Sequence, residues 1–254
     1  MDVLIKNFNS YQKTIPQTLQ ESGLADIIKK QKQILIKPNL TTCIHPPATT
    51  PAQLIEEIVK FCQKNSRANI IVGEGAGGCD TTKCFQELGY KEIANQYGIE
   101  LLDLNKAVRI YKNGIALPRV AFDSFIINVP VLKEHSAAKL TAAMKNVFGF
   151  YLNKEYINKI GQWVGTLFKT DWWNKSELHA IGIIKSIVQL NQLIKFGFNL
   201  VDGSVGQRGN EVRGRPCSPP IGKIVAGFDA KQVDKACAQL LQLDPETIPY
   251  LAQT

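Results

Sequence analysis

Short apolar runs recur along the chain, each bounded by turn residues. They are Val3-Leu4-Ile5, Gln33 to Lys37, Asn69 to Val72, Ile99 to Leu104, Phe125 to Val129, Phe198 to Val201 and Lys223 to Ala226. Runs of this length without alternation read as strands buried on both faces. Between them the period changes. Leu54, Ile55, Ile58, Val59 and Cys62 fall on one face of a helix from Pro51 to Lys64, and Val233, Ala236, Cys237, Leu240 and Leu241 do so in a last helix capped by Asp229. Further helices are predicted over Gln17 to Lys30, Thr82 to Leu88, Lys91 to Tyr97 and Ser176 to Leu193, and a small hairpin around Asn113-Gly114. Ser136 is read as the cap of another, because Ala137, Ala138, Leu140, Ala142, Ala143 and Met144 favour helix. Strands alternating with helices predict an α/β fold, a mostly parallel sheet flanked by helices on both faces. Residues 151–175 break the pattern with Tyr151, Tyr156, Trp163, Phe168, Trp172 and Trp173. This aromatic-rich helical insertion is expected to be a lid or the contact surface of a homo-oligomer.

Composition narrows the picture. The 254 residues suit one α/β domain spanning the chain, with 44% hydrophobic and 20% charged residues. The net charge of +8 comes from scattered lysines with no nucleic-acid motif, so the expected partner is a small anionic ligand, not nucleic acid. No apolar stretch is long enough for a bilayer, and the start, MDVLIKNF, lacks a long apolar core. No membrane partner and a cytoplasmic location are the resulting expectations. The six cysteines form no C-x-x-C pair and no ferredoxin-type run. Cys62 and Cys237 fall on helix faces, whereas Cys43, Cys79, Cys84 and Cys217 lie in or near loops.

The polar residues with chemical potential share one address. Lys37 and Asn39 follow one apolar strand, Glu74 a second, Lys133 and His135 a third, and Asp202 a fourth. In a parallel sheet those ends meet at one edge, where ligands bind. On the helix read after Ser136, Thr141 and Lys145 would share a face with Ala138 and Ala142, and Asn146 and Gly149 would close it. The GEGAGG turn at Gly73 to Gly78 is no Walker loop, since no G-K-[ST] follows, and Glu74 would repel a pyrophosphate. Lys133 and Lys145 can hold a carboxylate or phosphate, or form a Schiff base if desolvated. His135 can act as a general base or metal ligand, with His179 as a partner. Asp202 and Asp234 are the candidates for a hard divalent ion.

Four stretches resemble the DUF362 family: ILIKPNL from Ile34, VGEGAG from Val72, VPVLKEHSAAKLTAAMKNVFGF from Val129, and the C-terminal series LHAIGIIKSI, VDGSVGQRGN and IVAGFDAKQVDKACAQLLQLDP. The resemblance spans nearly the whole chain in order. It implies that Lys37, Asn39, Glu74, Lys133, His135, Lys145, Asn146, His179, Asp202 and Asp234 belong to a shared site, without supplying roles. Many relatives carry a ferredoxin-like cysteine segment; this chain is a short form without one, which argues against an iron–sulfur cluster and leaves a divalent metal as the cofactor to test. Asn210 to Gly214 replaces a more usual glycine-proline loop. The resulting expectation is an enzyme acting on a small anionic metabolite. Lys133, His135 and Lys145 would be catalytic, and Lys37, Asn39, Glu74, Thr141, Asn146, His179 and Asp202 ligand-binding. A redox or metal protein using loop cysteines with His135 or His179 is one alternative. An assembly module using Trp163, Trp172 and Trp173 is another.

Overall fold

A computed structural model describes residues 3–152, 175, 178 and 182–253. Strand β1 (Leu4–Asn7) leads into helix α1 (Tyr11–Glu21), which starts where the Ser10 side chain accepts from Lys13 N. A second helix, α2 (Leu24–Ile28), follows at Gly23, whose φ of 74° is costly for any residue with a Cβ. The single helix expected over Gln17 to Lys30 is thus two, and it begins earlier. Pro16 lies inside α1, next to the fully buried Ile15.

Then come β2 (Gln33–Pro38), α3 (Ala52–Asn65), β3 (Asn69–Glu74), α4 (Thr81–Glu87), α5 (Tyr90–Tyr97) and β4 (Glu100–Asp103). A separate hairpin follows, β5 (Arg109–Lys112) with β6 (Ile115–Pro118), turning at Asn113 and Gly114, both at positive φ. After the short α6 (Val120–Asp123) come β7 (Phe125–Val129), β8 (Val131–His135) and β9 (Lys139–Thr141). The chain ends with α7 (Ile183–Leu193), β10 (Phe198–Arg208), β11 (Arg215–Pro216), β12 (Lys223–Gly227) and α8 (Ala230–Leu240).

The main path of the large sheet runs β1-β12-β10-β7-β2-β3-β4. Strands β10, β7, β2, β3 and β4 are parallel, and β12 is antiparallel to both β10 and β1. The sheet is therefore mostly parallel, as the buried apolar runs required. Two cores cover its faces. On one, Ile34, Ile36, Val72 and Leu200 pack under α1 to α5, in company with Leu19, Leu54, Ile58 and Tyr90. On the other, Leu35, Ile71, Ile126, Val201 and Val225 pack under α7 and α8, with Phe150, Ile187 and Cys237. Strand order reverses between β2 and β7: β3 and β4 are added on one side of β2, and β7 and β10 on the other. At such a reversal an open α/β sheet has its crevice, outside the carboxyl ends of the strands.

Two expectations are corrected here. The helix read from Ser136 is the hairpin β8–β9, in which Lys133 faces Thr141 and His135 faces Lys139, followed by a 3-10 turn over Met144–Phe150. The edge of β10 supplies β8 with a pairing partner, through Asp202 with Val131 and Gln207 with Lys133, and sheet pairing outweighs the helix propensity of the alanines. The His135 ring reinforces the turn, since Nδ1 accepts from Ala137 N and Ala138 N at 3.1 Å each. Thr141 and Lys145 therefore do not share a helix face. Similarly, the strand from Phe198 does not end at Val201 but runs to Arg208, so Asp202 lies within a strand and not in a loop after one. No helix among the described residues is long and apolar enough to cross a membrane. The aromatic stretch with Tyr156, Trp163, Phe168, Trp172 and Trp173 lies outside the described residues, as does His179.

Candidate functional site

At the crevice, β2 delivers Lys37 and, just beyond it, Asn39; β3 delivers Glu74; β7 delivers Asn128. Lys37 is fully buried, and its Nζ lies 2.9 Å and 3.0 Å from the two oxygens of Glu74. Glu74 also accepts from Leu40 N and Gly75 N, so its charge is answered from several sides. Burial pushes the Lys37 ammonium below its usual pKa, and Glu74 pulls it back up.

Beside this pair runs a row of asparagine amides, all pointing one way. Asn39 Nδ2 donates to Asn146 Oδ1 at 2.9 Å, Asn146 Nδ2 to Asn128 Oδ1 at 2.8 Å, and Asn128 Nδ2 to Asn199 Oδ1 at 2.9 Å. Asn199 Nδ2 then donates to Gly227 O. The orientation is settled by backbone carbonyls, which can only accept: Pro38 O receives from Asn146 Nδ2 and Ala143 O from Asn128 Nδ2. The oxygen end of the row, Asn39 Oδ1, accepts from Lys133 Nζ at 3.4 Å and from Thr41 Oγ1 at 3.2 Å.

Lys133 is buried in β8. Its remaining donors go to Ala48 O at 2.8 Å and Glu211 O at 2.9 Å, so it ties the loop after β2 to the loop after β10. Burial lowers its pKa to about 8, against the opposing pull of Glu211 and Glu74. Directly across the hairpin, Thr141 Oγ1 is buried with no hydrogen-bond partner among the described residues. Lys145 is half-buried, and its ammonium lies 3.7 Å from the centre of the Phe148 ring. Its pKa falls to about 7, from desolvation first and then from the charge of Lys133, with Lys37 adding a smaller push. His135 Nε2 stands 3.9 Å from Glu211 Oε1, on the side away from the backbone donors that occupy Nδ1.

Among the sequence-predicted residues, Lys37, Asn39, Glu74, Lys133 and Asn146 are thus brought into contact, with Thr141 facing Lys133 across the hairpin. Lys145 lies within electrostatic reach, and His135 lies two residues along the same strand as Lys133. The two aspartates lie apart. Asp202 accepts from Tyr11 OH at 2.9 Å and from Ser204 N, on the α1 face of the sheet. Asp234 sits on the other face and accepts from Ala143 N, Met144 N and Tyr250 OH; burial pushes its carboxyl up to about 7. They do not share an ion position. A surface groove of 460 Å³ bounded by Met144, Asn191, Phe196 and Asp229 contains none of the candidate residues.

Several participants were not singled out from the sequence. Asn128 and Asn199 each interrupt an apolar strand, and that was the available signal, because a buried amide must find partners. Lys175 donates to Asn105 Oδ1, Gly149 O and Tyr151 O, and burial lowers its pKa to about 7. Nothing in the local sequence distinguishes it from a surface lysine.

A mostly parallel sheet covered on both faces, with buried polar residues gathered at its switch point, defines an α/β protein. The chain belongs to the DUF362 family, a domain of unknown function, whose model matches residues 34–239. It is 23% identical over 238 residues to the thylakoid-associated protein sll1697 of Synechocystis sp., covering 91% of this chain and 69% of that protein. Its fold is similar to that of the lactate racemase apoprotein from Thermoanaerobacterium thermosaccharolyticum, with a TM-score of 0.53 and 14% identity. That match covers 93% of this chain and 56% of the racemase, so the chain spans little more than half the length of that structure.

Proposed function

We propose that the chain binds a small carboxylate or phosphate metabolite beside Thr141 and Lys145 and moves a proton on it. The observation that carries this reading is the Thr141 hydroxyl, buried and unpartnered among the described residues, directly opposite a buried lysine. Such a hydroxyl costs about 1–3 kcal/mol when left unpaired, and a ligand oxygen supplies the missing partner. The charge of Lys133 holds that of Lys145 in check, and an anion beside Lys145 relieves it.

Roles follow from what each group already does. Lys145 makes no hydrogen bond among the described residues, so its ammonium is available to the anion. With a pKa of about 7, it exchanges a proton at neutral pH. Lys133 has its donors committed to Ala48, Glu211 and Asn39, and it contributes charge and holds the two loops. With Nδ1 of His135 accepting, Nε2 carries the proton and faces Glu211, an arrangement suited to relaying it. Asn39, Asn146 and the Lys37–Glu74 pair form the floor. The lactate racemase supplies the fold; the case for an anion rests on the lysines.

Calorimetric titration with pyruvate, malonate and inorganic phosphate tests the reading, together with solvent-deuterium exchange into pyruvate followed by NMR. Saturable binding lost in Lys145→Ala, with an unchanged circular dichroism spectrum, is the expected result. Equal binding by the variant removes Lys145 from the site.

A further inference from the structure

Three cysteines, two from loops and one from a helix, meet near the ends of β2 and β3. Cys43 lies in the loop after β2, Cys79 in the glycine loop after β3, and Cys84 in α4. The Cys43 and Cys84 sulfurs are 2.6 Å apart, Cys79 and Cys84 are in closer contact still, and all three sulfurs lie within 4.8 Å of one another. Among the described residues this is the sole group of three metal-ligating side chains so arranged.

A disulfide does not account for this arrangement. It would use two sulfurs and leave the third pressed against them. The Cα atoms of Cys79 and Cys84 are 7.2 Å apart, beyond the roughly 4.4–6.8 Å that a disulfide spans. A metal ion uses all three. Thiolates at about 2.3 Å around one tetrahedral zinc stand roughly 3.8 Å apart, which needs only a small outward movement of each sulfur. A cubane iron–sulfur cluster needs its thiolates spread more widely than this. Glu87, three residues beyond Cys84 on α4, lies within hydrogen-bonding reach of the Cys43 sulfur. Cys43 and Cys79 are half-buried and Glu87 is exposed, so an ion can enter from solvent.

We propose that Cys43, Cys79 and Cys84 are the ligands of one soft divalent ion, zinc by ligand type, with Glu87 or water in the fourth position. The ion would cross-link the loop after β2 to the glycine loop and α4, alongside the Gly78 N to Thr41 O hydrogen bond at 2.9 Å. The first of these loops carries Ala48, whose carbonyl holds Lys133, so the ion braces one wall of the crevice from outside. This site is independent of the anion reading and can fail or stand without it.

The test uses the full chain, reduced with a phosphine, stripped with chelator and titrated anaerobically with cobalt(II) and then zinc(II). One equivalent of cobalt with an intense thiolate-to-cobalt charge-transfer band, displaced by zinc, is expected. Cys43→Ser and Cys79→Ser, both at half-buried positions, should each weaken binding at least tenfold. Should either variant fail to fold, alkylation of the native protein decides. Zinc must protect Cys43 and Cys79, the two half-buried ligands, from iodoacetamide, read by peptide mass spectrometry. Labelling that is the same with and without zinc, substoichiometric cobalt, or an iron–sulfur absorption in anaerobically purified protein would each overturn the proposal.

Discussion

Lys37 and Glu74 bridge neighbouring strands under the backbone of Gly149, with no room for a side chain between them. A Cβ at Gly149 would overlap Glu74 Oε1 and stand 2.5 Å from Lys37 Nζ. Gly149→Ala must therefore displace a buried ion pair. We expect a loss of about 1–3 kcal/mol, the usual range for overpacking, read by urea denaturation.

The pair itself gives a second test. Lys37→Met leaves the Glu74 carboxylate buried without its cation, and a loss of roughly 3–5 kcal/mol is expected. Combining it with Glu74→Gln should recover part of that loss, because no uncompensated charge then remains. A double variant less stable than Lys37→Met would show that the pair is not the source of the cost.

The pH dependence of stability follows from the desolvated lysines. Lys145 and Lys175 are brought to about 7 and Lys133 to about 8, from an ordinary 10.5. Between pH 7 and 10.5 the unfolded chain holds protons that the folded chain has released. Their contribution to stability is complete above the unfolded value and is lost as pH falls through that window. Denaturation midpoints measured at pH 7, 8, 9 and 10 should therefore rise, and the Lys145→Met variant should show a shallower slope. A saturating anion should flatten the slope as well, because it favours the charged forms.

Asn146→Asp places an acceptor where a donor is needed. Asn146 Nδ2 donates to Asn128 Oδ1 at 2.8 Å and to Pro38 O at 3.1 Å. Carboxylate oxygens would face both acceptors, and a loss of at least about 3 kcal/mol is expected. Acidification should restore part of it by protonating the aspartate. Equal destabilisation at pH 5 and pH 8 would count against this explanation.

Much of the fold was legible because buried parallel strands leave an unmistakable signature. Ile34 to Ile36 and Ile70 to Val72 can hardly be anything else, and their order with intervening amphipathic helices gives the sheet. The convergence of Lys37, Asn39, Glu74 and Lys133 was legible for the same reason, since polar residues that end parallel strands share an edge. Local reading failed where a distant partner decided the outcome. Ala137 to Met144 favour helix in isolation, and only the far-off edge of β10 makes a hairpin of them. Asp202 follows an apolar run and precedes two glycines that look like punctuation, yet Gly206 takes its positive φ within the strand. The cysteine triad was legible only as loop cysteines. Cys79 and Cys84 follow β3 while Cys43 follows β2, and no C-x-x-C spacing joins them.

The row of four amides has a consequence of its own. Each side chain donates to the next, so no member can turn over without setting oxygen against oxygen at one neighbour and nitrogen against nitrogen at the other. Reversal would require Asn39, Asn146, Asn128 and Asn199 to rotate together against the fixed carbonyls of Pro38, Ala143 and Gly227. The floor of the crevice is therefore a frozen polarity, set when the chain folds and deaf to whatever arrives later. On the proposed anion-binding reading, discrimination between guests falls to the hairpin and loops above it.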